Sequence, residues 1–125
     1  MKLVISGRLY GLNEYIAACR RNPYTGARMK NESESLVMME IRSQLRGRRI
    51  KKPVIMKYKW FEKDRRRDLD NISSFGRKVI QDALVKTRVL ENDGWRHIIG
   101  FSDEFYIDKK SPRIEVEITE VQDGR

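Results

Sequence analysis

The chain has 125 residues, 39% of them hydrophobic and 36% charged, which supplies one modest core and excludes both a two-domain enzyme and a disordered chain. Its 27 Lys and Arg against 18 Asp and Glu give a net charge of +9, so a polyanion, with nucleic acid first, is the natural partner. The single cysteine, Cys19, excludes an internal disulfide, and no Cys/His cluster spells a zinc site. The apolar run Leu3-Val4-Ile5 is too short for a signal sequence, and nothing later approaches the roughly 20 apolar residues of a membrane span. The expectation is a soluble, unexported protein of the cytoplasm with no membrane partner.

Residues 1–9, around Leu3, Val4 and Ile5, read as a first strand. Leu12, Tyr15, Ile16 and Cys19 share one stripe of a short helix that Asn22-Pro23 ends, after which 23–30 reads as a basic loop. A second helix is expected from Ser33, carrying Leu36, Val37, Met39, Ile41 and Leu45 up to Gly47. Along 53–61, Val54, Met56, Tyr58 and Trp60 occupy one face of a strand, with Lys57 and Lys59 on the other. Ile72, Phe75, Val79, Ile80, Ala83 and Leu84 then mark a central helix over 71–86. Strands over 98–107 and 113–120 close the chain, joined by a turn at 108–112, and the last five residues are expected to fray. The order β-α-α-β-α-β-β describes a single α+β domain over 1–125, with a mixed sheet packed against about three helices.

Charge is divided along the chain. Residues 1–67 carry 18 Lys and Arg against 6 Asp and Glu, a net of +12, whereas 68–125 carry 9 against 12, a net of −3. An acidic site beside a basic surface is the expected arrangement. Asp68-Leu69-Asp70-Asn71 stands where the halves meet. In an extended chain, residues two apart point the same way, so Asp68 and Asp70 would present both carboxylates to one point while Leu69 turns to the core. Paired carboxylates suit a hard divalent cation. Alternatively, Asp70 or Asn71 caps the helix and Asp68 pairs with Arg66 or Arg67. On the helix, Asn71, Lys78 and Asp82 fall on one ridge, where Lys78 either faces a phosphate or pairs with Asp82 at i, i+4. Asp93, in Glu91-Asn92-Asp93-Gly94, is either a third acid of the cluster or ordinary turn chemistry.

Asp68-Leu69-Asp70-Asn71, a helix bearing Lys78 and then Asp82-Ala83-Leu84, and Asn92-Asp93 after it together resemble the RusA family of Holliday junction resolvases, its phage and prophage members especially. The resemblance is densest from Asp64 to Asp93 and looser over Leu12 to Tyr24. It implies a bacterial or phage-encoded endodeoxyribonuclease of DNA recombination and repair, a homodimer that cuts four-way DNA junctions with paired symmetric nicks. It further implies Mg²⁺, with Mn²⁺ as a substitute, and no small-molecule cofactor. Asp68, Asp70 and Asp93 correspond to the family's metal-binding carboxylates, and Lys78, placed four residues before Asp82, to its catalytic lysine. The interval from Asp70 to Asp82 is longer here than in the shortest members, and Asn92-Asp93 stands where many carry two consecutive acids, so Glu91 is an auxiliary candidate.

DNA contacts are expected from Lys57, Lys59, Lys63, Arg65, Arg66 and Arg67 around the acids, and from the second run Arg48, Arg49, Lys51 and Lys52. Of the aromatics, Trp60 and most others belong to the core on this reading, with Phe61 or Tyr24 available to stack on a base opened at a branch point. His97 is read as structural. Two other functions share these features: a non-catalytic nucleic-acid binding module, and a metal nuclease for flaps, forks or structured RNA.

Overall fold

The computed structural model describes residues 1–122. Its elements are β1 (Lys2–Ser6), α1 (Leu12–Arg21), α2 (Pro23–Leu45), β2 (Val54–Glu62), α3 (Leu69–Lys86), β3 (Ile98–Ile107) and β4 (Arg113–Glu120). The α+β class and the element order are those expected. The four strands form one mixed sheet in the order β1-β4-β2-β3, with β2 parallel to β3 and antiparallel to β4, and β4 antiparallel to β1.

One face of the sheet and the three helices enclose a single core. Period two sends Leu3 and Ile5 of β1, Val54, Met56, Tyr58 and Trp60 of β2, and Ile114, Val116 and Ile118 of β4 inward. Against them α3 sets Ile72, Phe75, Val79, Ile80, Ala83 and Leu84, and α2 sets Val37, Ile41 and Leu45. The opposite sheet face carries ion pairs, among them Lys2–Glu115 at 3.1 Å and Lys57–Glu104 at 3.0 Å. Both borders of the sheet differ from its middle. At β1, Gln44 of α2 donates through Nε2 to the Val4 carbonyl at 2.7 Å and accepts from the Val4 N–H at 2.8 Å; β3 forms the other border.

Four expectations are corrected. The first strand stops at Ser6 rather than residue 9, because Gly7 turns the chain at φ 80° and donates to the Pro112 carbonyl. The expected loop at 23–30 is helix, and α2 starts ten residues before Ser33. Pro23 does end α1, but it also occupies the first turn of α2, where its missing N–H costs nothing, and the Asn22 side chain caps that helix by accepting from the Thr25 N–H at 2.9 Å. On α1 the inward stripe is shifted: Ala18 is buried and Tyr15 stacks on Phe75 at 4.5 Å, while Ile16 faces outward and Cys19, though exposed, sets its Sγ beside Gly26 of α2. Finally, Val121 is tied to the Pro53 carbonyl at 2.8 Å; of the five residues expected to fray, 123–125 lie outside the described residues.

Candidate functional site

The turn before α3 is built by charge pairing. Arg67 folds inward, its guanidinium bound in a fork by Glu62 at 3.0 and 2.9 Å and donating also to the Leu9 carbonyl. Arg66 turns back to Asp64 at 3.6 Å. Neither reaches Asp68, so the alternative in which Asp68 pairs with these arginines does not hold. Asp68 occupies the cap position of α3 with extended backbone (φ −66°, ψ 158°) but makes no side-chain capping bond, and Asp70 lies in the first turn. Asp70 and Asn71 are thus not the caps. The helix starts at Leu69, two residues earlier than the extended-chain geometry requires, and this leaves Leu69 57% exposed rather than turned to the core.

Among the described residues, Asp68 and Asp70 are exposed and make no ion pair with any lysine or arginine. A helix N-terminus favours negative charge and lowers the cost of holding two carboxylates together there. Asn71 has a different task. Gly11, at the cap position of α1, has no side chain to offer, and the Asn71 Oδ1 supplies the missing acceptor to the Asn13 N–H at 2.9 Å. A Cβ on Gly11 would stand 2.6 Å from that oxygen. Residue 11 must therefore be glycine for α3 to cap α1. Sequence reading places Asn71 on the ridge but gives no sign of this cross-helix bond.

Farther along α3, Lys78 bridges two acids, Asp82 at 3.1 Å and Asp93 at 3.2 Å. Asp82 is also held by Lys30 of α2 at 3.0 Å, and Lys30 and Lys86 both reach the buried Glu34, at 4.0 and 2.5 Å. The result is a chain of alternating charge, Lys86, Glu34, Lys30, Asp82, Lys78, Asp93, that passes from the end of α3 to α2, back to α3 and on to the loop after it. The hydrogen bond to Asp82 holds the Lys78 ammonium above its ordinary pKa against the opposing effect of burial, with Asp93 adding to it. Burial pushes the Asp82 carboxyl up, but the hydrogen bonds from Lys30 and Lys78 outweigh it and hold the group below its usual value. Lys30 and Glu34 are absent from the expected site; their spacing to α3 arises only from helix packing.

The structure brings Lys78 and Asp93 together, and it does not bring Asp93 to Asp68 and Asp70. Eight residues of helix, about 12 Å of rise, separate Asp70 from Lys78, and among the described residues no three acidic, histidine or cysteine side chains gather into a metal-holding group. Like charges repel, and Lys78 supplies Asp93 with the opposite charge instead. The loop is fixed from within: the Asn92 Oδ1 accepts from the N–H groups of Asp93 and Gly94, and the Gly94 carbonyl accepts from those of His97 and Ile98. His97 joins this frame and stands 3.8 Å from Glu91.

The expected DNA contacts fall into two groups. Lys57 and Lys59 pair with Glu104 and Glu117, Arg66 with Asp64, and Arg67 is buried in its fork. Lys63, Arg65, Arg48, Arg49, Lys51 and Lys52 are exposed and, among the described residues, form no ion pair. Phe61 is unavailable for stacking, since Tyr106 lies against it at 4.9 Å and the Arg113 guanidinium at 3.7 Å. Trp60 is core, as expected, but Trp95 is not: it is 95% exposed.

No helix among the described residues is long and apolar enough to cross a membrane. No curated protein matches the chain. The model of the family described as Endodeoxyribonuclease RusA matches residues 13–119, a span that includes Asp68, Asp70, Lys78 and Asp93 and all of the helices but the first residue of α1. Six-sevenths of the sequence is thus accounted for by one family, and the chain belongs to the RusA family of endodeoxyribonucleases, enzymes of Holliday junction resolution.

Proposed function

We propose that this protein resolves four-way DNA junctions by paired, symmetric nicks that depend on a divalent cation, Mg²⁺ or in its place Mn²⁺. The supporting observation is the pair Asp68 and Asp70, exposed on the first turn of α3 and left without a protein cation although three arginines immediately precede them. A free pair of hard oxygen donors fits a divalent ion. Asp68 and Asp70 would hold it, while Asp93 pairs with Lys78. Such an ion, when bound, supplies hydroxide at neutral pH and neutralises charge building on the cleaved phosphate.

The chain's own residues do the rest. Exposed Lys63 and Arg65 draw the phosphate backbone toward the acids, and Arg48, Arg49, Lys51 and Lys52 offer a second set of phosphate contacts. Lys78, charged and half exposed, stabilises the negative charge of the pentacovalent phosphate; Asp82 and Lys30 hold it in place. Two cuts related by two-fold symmetry require a C₂ dimer.

The test is cleavage of a synthetic four-way junction and of linear duplex, with and without Mg²⁺. Wild type is expected to nick the junction only with the metal, and Asp70→Asn to bind the junction without nicking it. Normal nicking by Asp70→Asn would remove Asp70 from the site, and metal-independent binding with no cleavage by wild type would leave only a DNA-binding module.

A further inference from the structure

Tryptophan has more apolar surface than any other side chain, and folding ordinarily covers most of it. Trp95 is 95% exposed, yet its backbone is well anchored. Its neighbours Asn92, Gly94, His97 and Ile98 lock the loop by four hydrogen bonds, so the indole is displayed from a fixed support. Beside it lies a cavity of about 270 Å³, lined by Gln81, Asp93, Trp95, Ile98, Gly100 and Phe101. Phe101 is itself half exposed, and the Arg77 guanidinium covers one face of its ring at 4.5 Å from the centroid. The depression thus has aromatic walls, one amide from Gln81 and a carboxylate from Asp93 at its rim.

Two observations decide the occupant. Asp93 belongs both to this cavity and to the ion pair with Lys78, so the aromatic platform adjoins the candidate site. Exposed cations, Arg96 next in the chain and Lys78 on α3, flank it in a protein of net charge +9. The chemistry that such a place recognises is a flat π-face joined to a negatively charged backbone. We infer that Trp95 and the adjoining cavity hold an unpaired nucleobase of the DNA strand next to the phosphate to be cut. The inference rests on the junction-cutting reading and deepens it: a branch point is where bases leave the duplex stack most easily, and a stacking platform beside Lys78 selects for it. Trp95 supplies a face for the base, and beside it stand Asp93, paired with Lys78, and Gln81, whose Nε2 donates to the Tyr58 hydroxyl at 3.1 Å.

The experiment uses the full chain with EDTA, which suppresses cutting, and measures binding to a synthetic four-way junction and to linear duplex of the same arm sequence. A second junction carries 2-aminopurine at the branch point. Wild type is expected to prefer the junction and to quench the 2-aminopurine. Trp95→Ala is expected to lower the junction-to-duplex affinity ratio by about 5- to 150-fold and to abolish the change in fluorescence, while Trp95→Phe retains most of both. Because residue 95 touches little of the fold, circular dichroism should show both variants folded. A wild-type preference for the junction that Trp95→Ala leaves intact overturns the inference and spares the junction reading. Absence of any wild-type preference, together with absence of cleavage in Mg²⁺, overturns the junction reading and the inference with it. If Trp95→Ala instead converts a dimer into a monomer in sedimentation, the platform belongs to a second copy of the chain, and the nucleobase assignment fails.

Discussion

Arg67 and Lys78 carry the same sign of charge and do opposite work. Arg67 stands in a run that invites a reading as a DNA contact, but its side chain and that of Glu62 are nearly buried and satisfy one another in a two-pronged bond. Removing one partner of such a pair strands the other charge in the interior. Arg67→Ala is therefore expected to cost about 3–5 kcal/mol in urea unfolding, and the double change Arg67→Met with Glu62→Leu to recover most of that loss. Lys78 is instead a reachable cation. Its raised pKa means that its charge stabilises the fold below the ordinary lysine value, as long as its carboxylate partners are ionised, and that this effect is lost as pH rises through the raised value. Asp82, with its pKa lowered, contributes above the ordinary carboxylate value and loses its contribution as pH falls through the lowered one. Across the neutral range both groups stay charged, so Lys78 serves as a cation and not as a base. The nicking rate should show no alkaline decline from Lys78 below about pH 10, and Lys78→Ala should slow nicking by about 100-fold or more, with Lys78→Arg milder. The pairing of Lys78 with Asp82 was legible from four-residue spacing alone. The posture of Asp68 and Asp70 was not, because it turns on whether the helix begins at residue 69 or 71, and that two-residue shift changes alternation along a strand into rotation about an axis.

Among the elements, α3 does most to organise the site, and its seat on the sheet is set by one glycine. A Cβ at residue 76 would stand 2.9 Å from Cζ3 and 3.0 Å from Cη2 of Trp60, whose ring is fixed in the core by its Nε1 bond to Asp103 at 2.9 Å. Alanine is the better helix former by about 1 kcal/mol, but a rigid indole cannot retreat, and overpacking costs about 1–3 kcal/mol. Gly76→Ala is expected to lower stability in urea unfolding, and to slow nicking as well, since α3 bears Asp70, Lys78 and Asp82. Such packing is invisible in sequence, where Gly76 reads only as a weak point in a helix. By contrast β2 was legible at once, as Val54, Met56, Tyr58 and Trp60 alternate with lysines. The start of α2 is hidden in sequence for an identifiable reason: Asn22-Pro23-Tyr24-Thr25 serves as the stop of one helix and the cap and first turn of the next, and the stop signal masks the cap.

For the whole molecule, class and element order could be read from periodicity, but strand order could not, because β4 enters between β1 and β2 and leaves β3 on the outside. The sheet's two margins consequently face different fates. A side-chain amide has the donor and acceptor of a peptide group, so Gln44, clasping Val4 from α2, is a counterfeit strand one residue long and fills the rung on which a neighbour would first dock. The β3 margin, with Phe101 and Ile107 partly uncovered, has no such plug among the described residues. Lateral growth of this sheet, whether by a partner's strand or in misassembly, is thereby made one-sided.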